Sequence, residues 1–325
     1  MTSLITPVPM GRPTFLDMPR CADLGALAAD VAVIGVPFSA PYGMAASTSP
    51  SSSAPGLVRE QSLRMVSSLD HYNFEHGGTI WAGRRVTVAD CGDVAMQPGR
   101  FDENRAATTA AIAAILGCGA LPIVLGGDHA ITAAVLEAYR ALSPIRVVQI
   151  DAHLDWRDER GGVRHGQSSP MRRASEMPWV GGMIQIGLSG AGSARQAEVD
   201  AARAYGSVLV RAEELHQLGV EAVLDRLPAA GSCYVTIDMD GLEAAIAPGV
   251  GWPSMGGLTY FETVNLLKGV AARSPIAGVD LVEIVPANDV KDVTSLLAAR
   301  LIVDALGALA HAGRIGRPPD PVLPA

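Results

Sequence analysis

"AATTAAIAAILGCGALPIVLGG", residues 106–127, carries no charge over 22 residues. By length alone it could cross a bilayer, which takes about 20 apolar residues. Its composition argues otherwise. Gly117, Gly119 and Pro122 interrupt it, small residues fill much of it, and it runs directly into Asp128 and His129. It reads as a buried helix, a turn, then a short strand that stops at a polar cluster. A helix followed by a strand that is apolar on both faces is a unit of a parallel sheet covered by helices.

The same unit recurs on either side. β-type runs fall at 31–37, 86–90, 121–125, 146–151, 183–187, 208–210, 233–238 and 276–283. Helical patterns lie at 104–116, 130–142, 193–204, 212–226, 260–272 and 294–310. This predicts an α/β fold, a three-layer α/β/α sandwich with a mostly parallel sheet of about eight strands. Residues 1–325 read as a single domain with no internal repeat or linker. Within it, 1–25 form an N-terminal arm and the proline-rich 314–325 a C-terminal tail.

Composition narrows the function. The chain has 325 residues, 49% hydrophobic and 18% charged, enough for a large core. A formal charge of −8 without basic clusters argues against nucleic acid. It suits a cationic small molecule, although such a charge is ordinary. Cys21, Cys91, Cys118 and Cys233 lie far apart, with no C-x-x-C pair, and the first residues lack the pattern of a signal peptide. The expected setting is the cytoplasm, with no membrane partner.

Three clusters carry the chemistry, each at the carboxyl end of an apolar strand. They are Gly126-Gly127-Asp128-His129, then "DAHLD" with Asp151, His153 and Asp155, then Asp238-x-Asp240. Residues two apart on a strand point the same way, so Asp151 can converge with His153 and Asp238 with Asp240. Taken singly, each has a plain reading. D-x-D often closes a turn, and Asp128 could cap a helix. Three such clusters ending strands of one sheet point to a metal site instead. Two imidazoles and four carboxylates suit Mn²⁺, Ni²⁺ or Co²⁺ better than a thiolate-type zinc site. Four crowded carboxylates repel one another unless cations neutralise them, which fits two divalent ions.

These motifs resemble those of the ureohydrolases, the arginase and agmatinase family. The likeness runs from "VAVIGVPF" at Val31 to "DLVEIVP" ending at Pro286, and includes "GGLT" at Gly256 with Glu262. "DCGDV" at Asp90 and "VREQS" at Val58 look like the agmatinase branch. The resemblance implies a binuclear metal hydrolase acting on C–N bonds of linear amidines, releasing urea or an analogue and an amine. It implies that His129, Asp151, Asp155 and Asp238 hold one ion. Asp151, His153, Asp238 and Asp240 would hold the other. Mn²⁺ and Ni²⁺ are both compatible. A water activated between the ions would attack the guanidinium carbon, and Asp155 would relay a proton to the leaving amine. His165 would shuttle protons or touch substrate, and Glu283 would pair with the guanidinium. A trimer or hexamer, homo- or hetero-oligomeric, is also implied.

Other residues read as structural: His71, His76, His216 and His311 at surfaces or helix ends, Asp90 and Asp93 in a turn, Glu262 at a helix start. The chain departs from the family pattern at two places. Glu243 and Ala244 stand where an Asp-Pro pair is usual. The loop at 38–56 is uncharged where agmatinases carry arginines. That predicts a small or neutral-tailed substrate such as an alkylguanidine, guanidine or a biguanide, with Trp156 helping to select it. Asp158 and Glu159 keep agmatine in play, and guanidinobutyrate is an alternative. Two further readings stand: a non-catalytic subunit of a hetero-oligomer, against which the complete ligand set argues, and a single-zinc deacetylase, against which the GGDH histidine and the D-x-D pair argue.

Overall fold

Along Val31–Val36 every residue is buried. Val31 and Val33 join one hydrophobic cluster, while Ala32, Ile34 and Val36 join another. Successive strand side chains point to opposite faces, so such a strand needs cover on both sides. The computed structural model describes residues 3–39, 42, 50–142, 144–228 and 231–318. In it nine strands form one sheet: β1 (Ile5–Thr6), β2 (Val31–Val36), β3 (Val88–Val94), β4 (Leu121–Gly126), β5 (Ile145–Ile150), β6 (Val180–Leu188), β7 (Val208–Arg211), β8 (Ser232–Asp238) and β9 (Ile276–Val282). Their spatial order is β1-β3-β2-β4-β9-β8-β5-β6-β7. Only β1 runs antiparallel to its neighbour.

Helices cover both faces. Numbered in chain order, α1 (Ala54–Ser62), α6 (Ala212–Leu218), α7 (Val220–Leu224), α8 (Tyr260–Arg273) and α9 (Val293–His311) pack into the first cluster. On the opposite face lie α2 (Phe101–Gly117), α3 (Ile131–Glu137), α4 (Pro170–Ser175) and α5 (Gln196–Tyr205). This is the three-layer α/β/α arrangement. Residues 106–127 form the end of α2, a turn with Gly119 at φ 76°, and β4. Val290–His311 is also long and apolar enough to cross a membrane, but 78% of its most apolar window is buried in the fold.

The eight strands read from the sequence are all present. The ninth, β1, is too short for periodicity to reveal. Ile5 pairs with Val94, and Gly92 (φ 72°) lets the two chains meet, since a Cβ there would lie 2.2 Å from the Thr6 carbonyl. Phe15 and Leu16 are buried too, so the described part of the N-terminal arm packs onto the sheet. The helix expected over 212–226 divides at Gly219, whose φ of 81° interrupts the helical backbone between α6 and α7. Asp90 is wholly buried. It accepts hydrogen bonds from the Phe15 and Gly92 amides and from Arg59 Nε at 2.8 Å. Arg59 also reaches Asp93 at 2.7 Å, so "VREQS" and "DCGDV" lock α1 to β3.

Candidate metal centre

The four central strands lie in the order β4-β9-β8-β5. Leu125 pairs with Leu281, Asp238 with Val282, and Ile150 with Ile237, so their carboxyl ends are level. His129 follows β4, Glu283 follows β9, Asp238 closes β8, and Asp151 follows β5. Chain connectivity thus gathers residues more than 100 positions apart at one sheet edge, where open α/β sheets place ligands.

Each cluster is shaped by the same local turn. Asp128 Oδ1 accepts from the Ala130 amide, Asp151 Oδ1 from the His153 amide, and Asp238 Oδ1 from the Asp240 amide. An aspartate bonding its backbone two residues on ends the strand and fixes its own carboxylate. Turn formation and ligand presentation are therefore compatible roles for one side chain. Gly241 makes room for the neighbouring strand end; a Cβ there would lie 2.8 Å from the Asp151 backbone nitrogen. Asp155 and Glu283 hold positive φ values of 50° and 67°, a strain common at functional sites.

The side chains converge closely. His129 Nδ1 lies 2.9 Å from Asp155 Oδ2 and 3.1 Å from both Asp151 Oδ2 and Asp238 Oδ2. His153 Nδ1 lies 3.1 Å from Asp240 Oδ2 and 3.5 Å from Asp151 Oδ1. Two candidate ligand groups result, His129–Asp151–Asp238 and Asp151–His153–Asp240, each with donor atoms within 4.8 Å of one another. Asp151 belongs to both. On its far side His129 Nε2 meets Thr236 Oγ1 at 2.9 Å, fixing the ring as outer hydrogen bonds do for metal-bound imidazoles.

The charge balance of these residues fits cations. Burial pushes the Asp238 carboxyl well above its usual range, with Asp240 and Asp151 adding to the rise. Burial, followed by Asp151, lifts Asp155 to about 6. Burial opposes charge on both imidazoles, yet bonds to the carboxylates outweigh it. His129 rises well above its ordinary value, and His153 is pushed up to about 12 by Asp151 and Asp240. Protons on the imidazoles then face four crowded carboxylates. Asp240 Oδ1 is also buried without a hydrogen-bond partner. Two divalent cations would supply the missing charge and coordinate that oxygen.

A cavity of about 360 Å³ opens on the cluster, lined in part by His153, Asp155, Asp238, Asp240 and Glu283. One Glu283 oxygen accepts from the His129 amide at 2.8 Å, and burial, then Asp128, raises its pKa well above the ordinary value. His165 lies elsewhere. It faces Arg105, with Nε2 3.2 Å from Nη1, in a neighbouring cavity with Phe38 and Phe101. Burial, then Arg105, lowers its pKa. Trp156 requires a correction. It is 3% exposed and packs on Tyr205 in the core, and it does not line the cavity. The tryptophan at the cavity is Trp252, 71% exposed.

Sequence reasoning did not single out Thr236, nor Arg157 and Arg160, which also line the cavity. Thr236 stands two residues before Asp238 on β8, and that spacing was the available signal. His76 is not at the surface: its side chain is buried 3.3 Å from Asp304. Glu262 caps α8, and its carboxylate also holds His216. Much of the uncharged loop, 40–41 and 43–49, lies outside the described residues.

A mostly parallel sheet with this acidic, histidine-bearing edge offers a site for divalent cations. The chain belongs to the Arginase family, whose model matches residues 29–307. It is 33% identical over 310 residues to a guanidinopropionase of Pseudomonas aeruginosa, covering 93% of this chain and 92% of that one. A mitochondrial agmatinase of Gallus gallus is 29% identical, covering 86% of this chain and 81% of the relative. Among solved structures, the proclavaminate amidinohydrolase of Streptomyces clavuligerus superposes with a TM-score of 0.79 at 27% identity, over 92% of this chain and 97% of that one.

Proposed function

We propose that this protein hydrolyses a guanidino compound to urea and an amine at a centre of two divalent ions, Mn²⁺ or Ni²⁺. The observation that carries this is the convergence of His129 Nδ1 on three buried carboxylates beside the His153–Asp240 pair, with Asp151 common to both groups. His129, Asp151, Asp155 and Asp238 would hold one ion, and Asp151, His153, Asp238 and Asp240 the other. When bound, two such ions would supply Lewis acidity and lower the pKa of a water toward neutrality. The carboxylate of Glu283 accepts N–H bonds from the guanidinium and holds its carbon at the cluster. Asp155, at the cavity wall, passes a proton to the departing amine. His165 is the remaining candidate for proton transfer, from a loop position facing Arg105.

The four cysteines are unpaired, which supports a cytoplasmic setting. Exposed Phe74 and Tyr72, whose rings meet edge to face at 5.2 Å, support an oligomer, homo- or heteromeric. Names among the relatives span guanidino acids and agmatine, so they do not choose the substrate's tail. Urea release decides the reaction: the chain alone, loaded with Mn²⁺ or Ni²⁺, should release urea from at least one member of a guanidino panel. Both ions bound and no urea from any member would contradict it and favour a non-catalytic subunit.

A further inference from the structure

We infer that the substrate carries a carboxylate at the end remote from its guanidino group, and that Arg160 and Arg157 receive it. This rests on the proposed guanidino hydrolysis and adds the identity of the tail.

The cavity over the acidic cluster is also lined by Arg157 and Arg160. Arg160 is exposed, and no carboxylate among the described residues pairs with it. Its position is nonetheless set. Arg160 and Val163 exchange backbone hydrogen bonds of 3.0 and 3.1 Å across Gly161 and Gly162, at φ 59° and 82°. Two positive φ values in a two-residue loop mark a tight hairpin turn. The Arg160 guanidinium lies over the Tyr42 ring, 4.5 Å from its centroid. Tyr42 in turn is held by Ser168, whose Oγ lies 2.9 Å from the phenol oxygen and whose amide donates to it at 3.1 Å. Gly166 permits the fit, since a Cβ there would fall 2.4 Å from the Tyr42 ring. Arg157 is tied to the same support through its amide, which donates to the Ser168 carbonyl. Its buried Nε forms an ion pair with Glu198 at 3.6 Å without a hydrogen bond, so among the described residues Arg160 is the cavity cation left unpaired for a ligand.

Asp158 and Glu159 do not oppose these cations inside the cavity. Asp158 is engaged by Arg173 and Arg164, and neither acid lines the cavity. A cationic tail such as agmatine's would meet two arginines, whereas a carboxylate would find planar donors matched to its geometry. The loop at 38–56 is uncharged, and the cavity's arginines come from the other loop.

The test compares kcat/KM for 3-guanidinopropionate and 4-guanidinobutyrate with that for agmatine and propylguanidine on the metal-loaded enzyme. Calorimetry of 4-guanidinobutyrate reads binding separately. The carboxylates should lead by about 10-fold or more, as expected for hydrogen bonds to a charged group. Arg160→Gln should shrink that ratio about 10-fold or more and weaken 4-guanidinobutyrate binding, with Arg160→Lys retaining part of both. Equal or better turnover of agmatine or propylguanidine, or binding unchanged in Arg160→Gln, overturns the inference. Arg160-dependent binding of 4-guanidinobutyrate without urea release would support tail recognition while overturning the proposed reaction.

Discussion

His129 shows how much one side chain settles. Its Nδ1 meets three carboxylates while Nε2 meets Thr236, so the ring is oriented from behind. Thr236→Val should lower metal affinity about 10- to 100-fold, as removal of outer partners does elsewhere. Competition with a chelator measures this, and unchanged affinity would contradict it. Both imidazoles hold protons tightly in the metal-free protein because carboxylates surround them, His153 to about 12. A metal must displace those protons, so affinity should rise with pH up to about 12 and fall as acid returns them. Calorimetry in buffers of different ionisation enthalpy would register proton release; its absence would speak against the imidazoles as ligands. The six proposed ligands were legible because Asp and His at apolar strand ends demand a reason. Thr236 and Arg157 were not, since threonine in a strand and arginine in a loop have ordinary explanations. Trp156 adjoins the site in sequence and not in space. It lies between Asp155 and Arg157, which line the cavity, but its own ring is buried against Tyr205 in the core.

At the scale of elements, the sheet's eight longer strands were readable because two-sided burial produces continuous apolar runs. Strand β1 was not, because two residues carry no period; its position depends on Gly92 and on the long-range pairing of Ile5 with Val94. Nor could periodicity foresee the break between α6 and α7, which turns on the backbone freedom of Gly219. The Arg59–Asp90 lock joins α1, β3 and the N-terminal arm through a carboxylate with no exposure. Arg59→Met would leave that charge buried without its partner. The expected loss is about 3–5 kcal/mol in denaturant unfolding. A loss below about 1 kcal/mol would show that Asp90 is satisfied by its backbone amides alone.

For the whole molecule, strand order does what no local motif can. It sets β4, β9, β8 and β5 side by side, so three short sequence clusters and Glu283 become one site. The sequence clusters imply such a meeting, but the neighbours of each strand had to come from the fold. A site with this excess of buried carboxylates also couples metal to stability. Cations that bind only the folded state raise the unfolding temperature by mass action, and chelation should lower it reversibly. Two ions would act together at this sheet edge. Titrating metal-free protein with Mn²⁺ or Ni²⁺ while recording urea release from the best guanidino substrate tests it most directly. Activity should rise until two equivalents per chain are bound, and Asp240→Asn should reduce both the bound metal and the urea. Full activity at one equivalent, or two equivalents bound with no urea from any guanidino compound, would contradict the account.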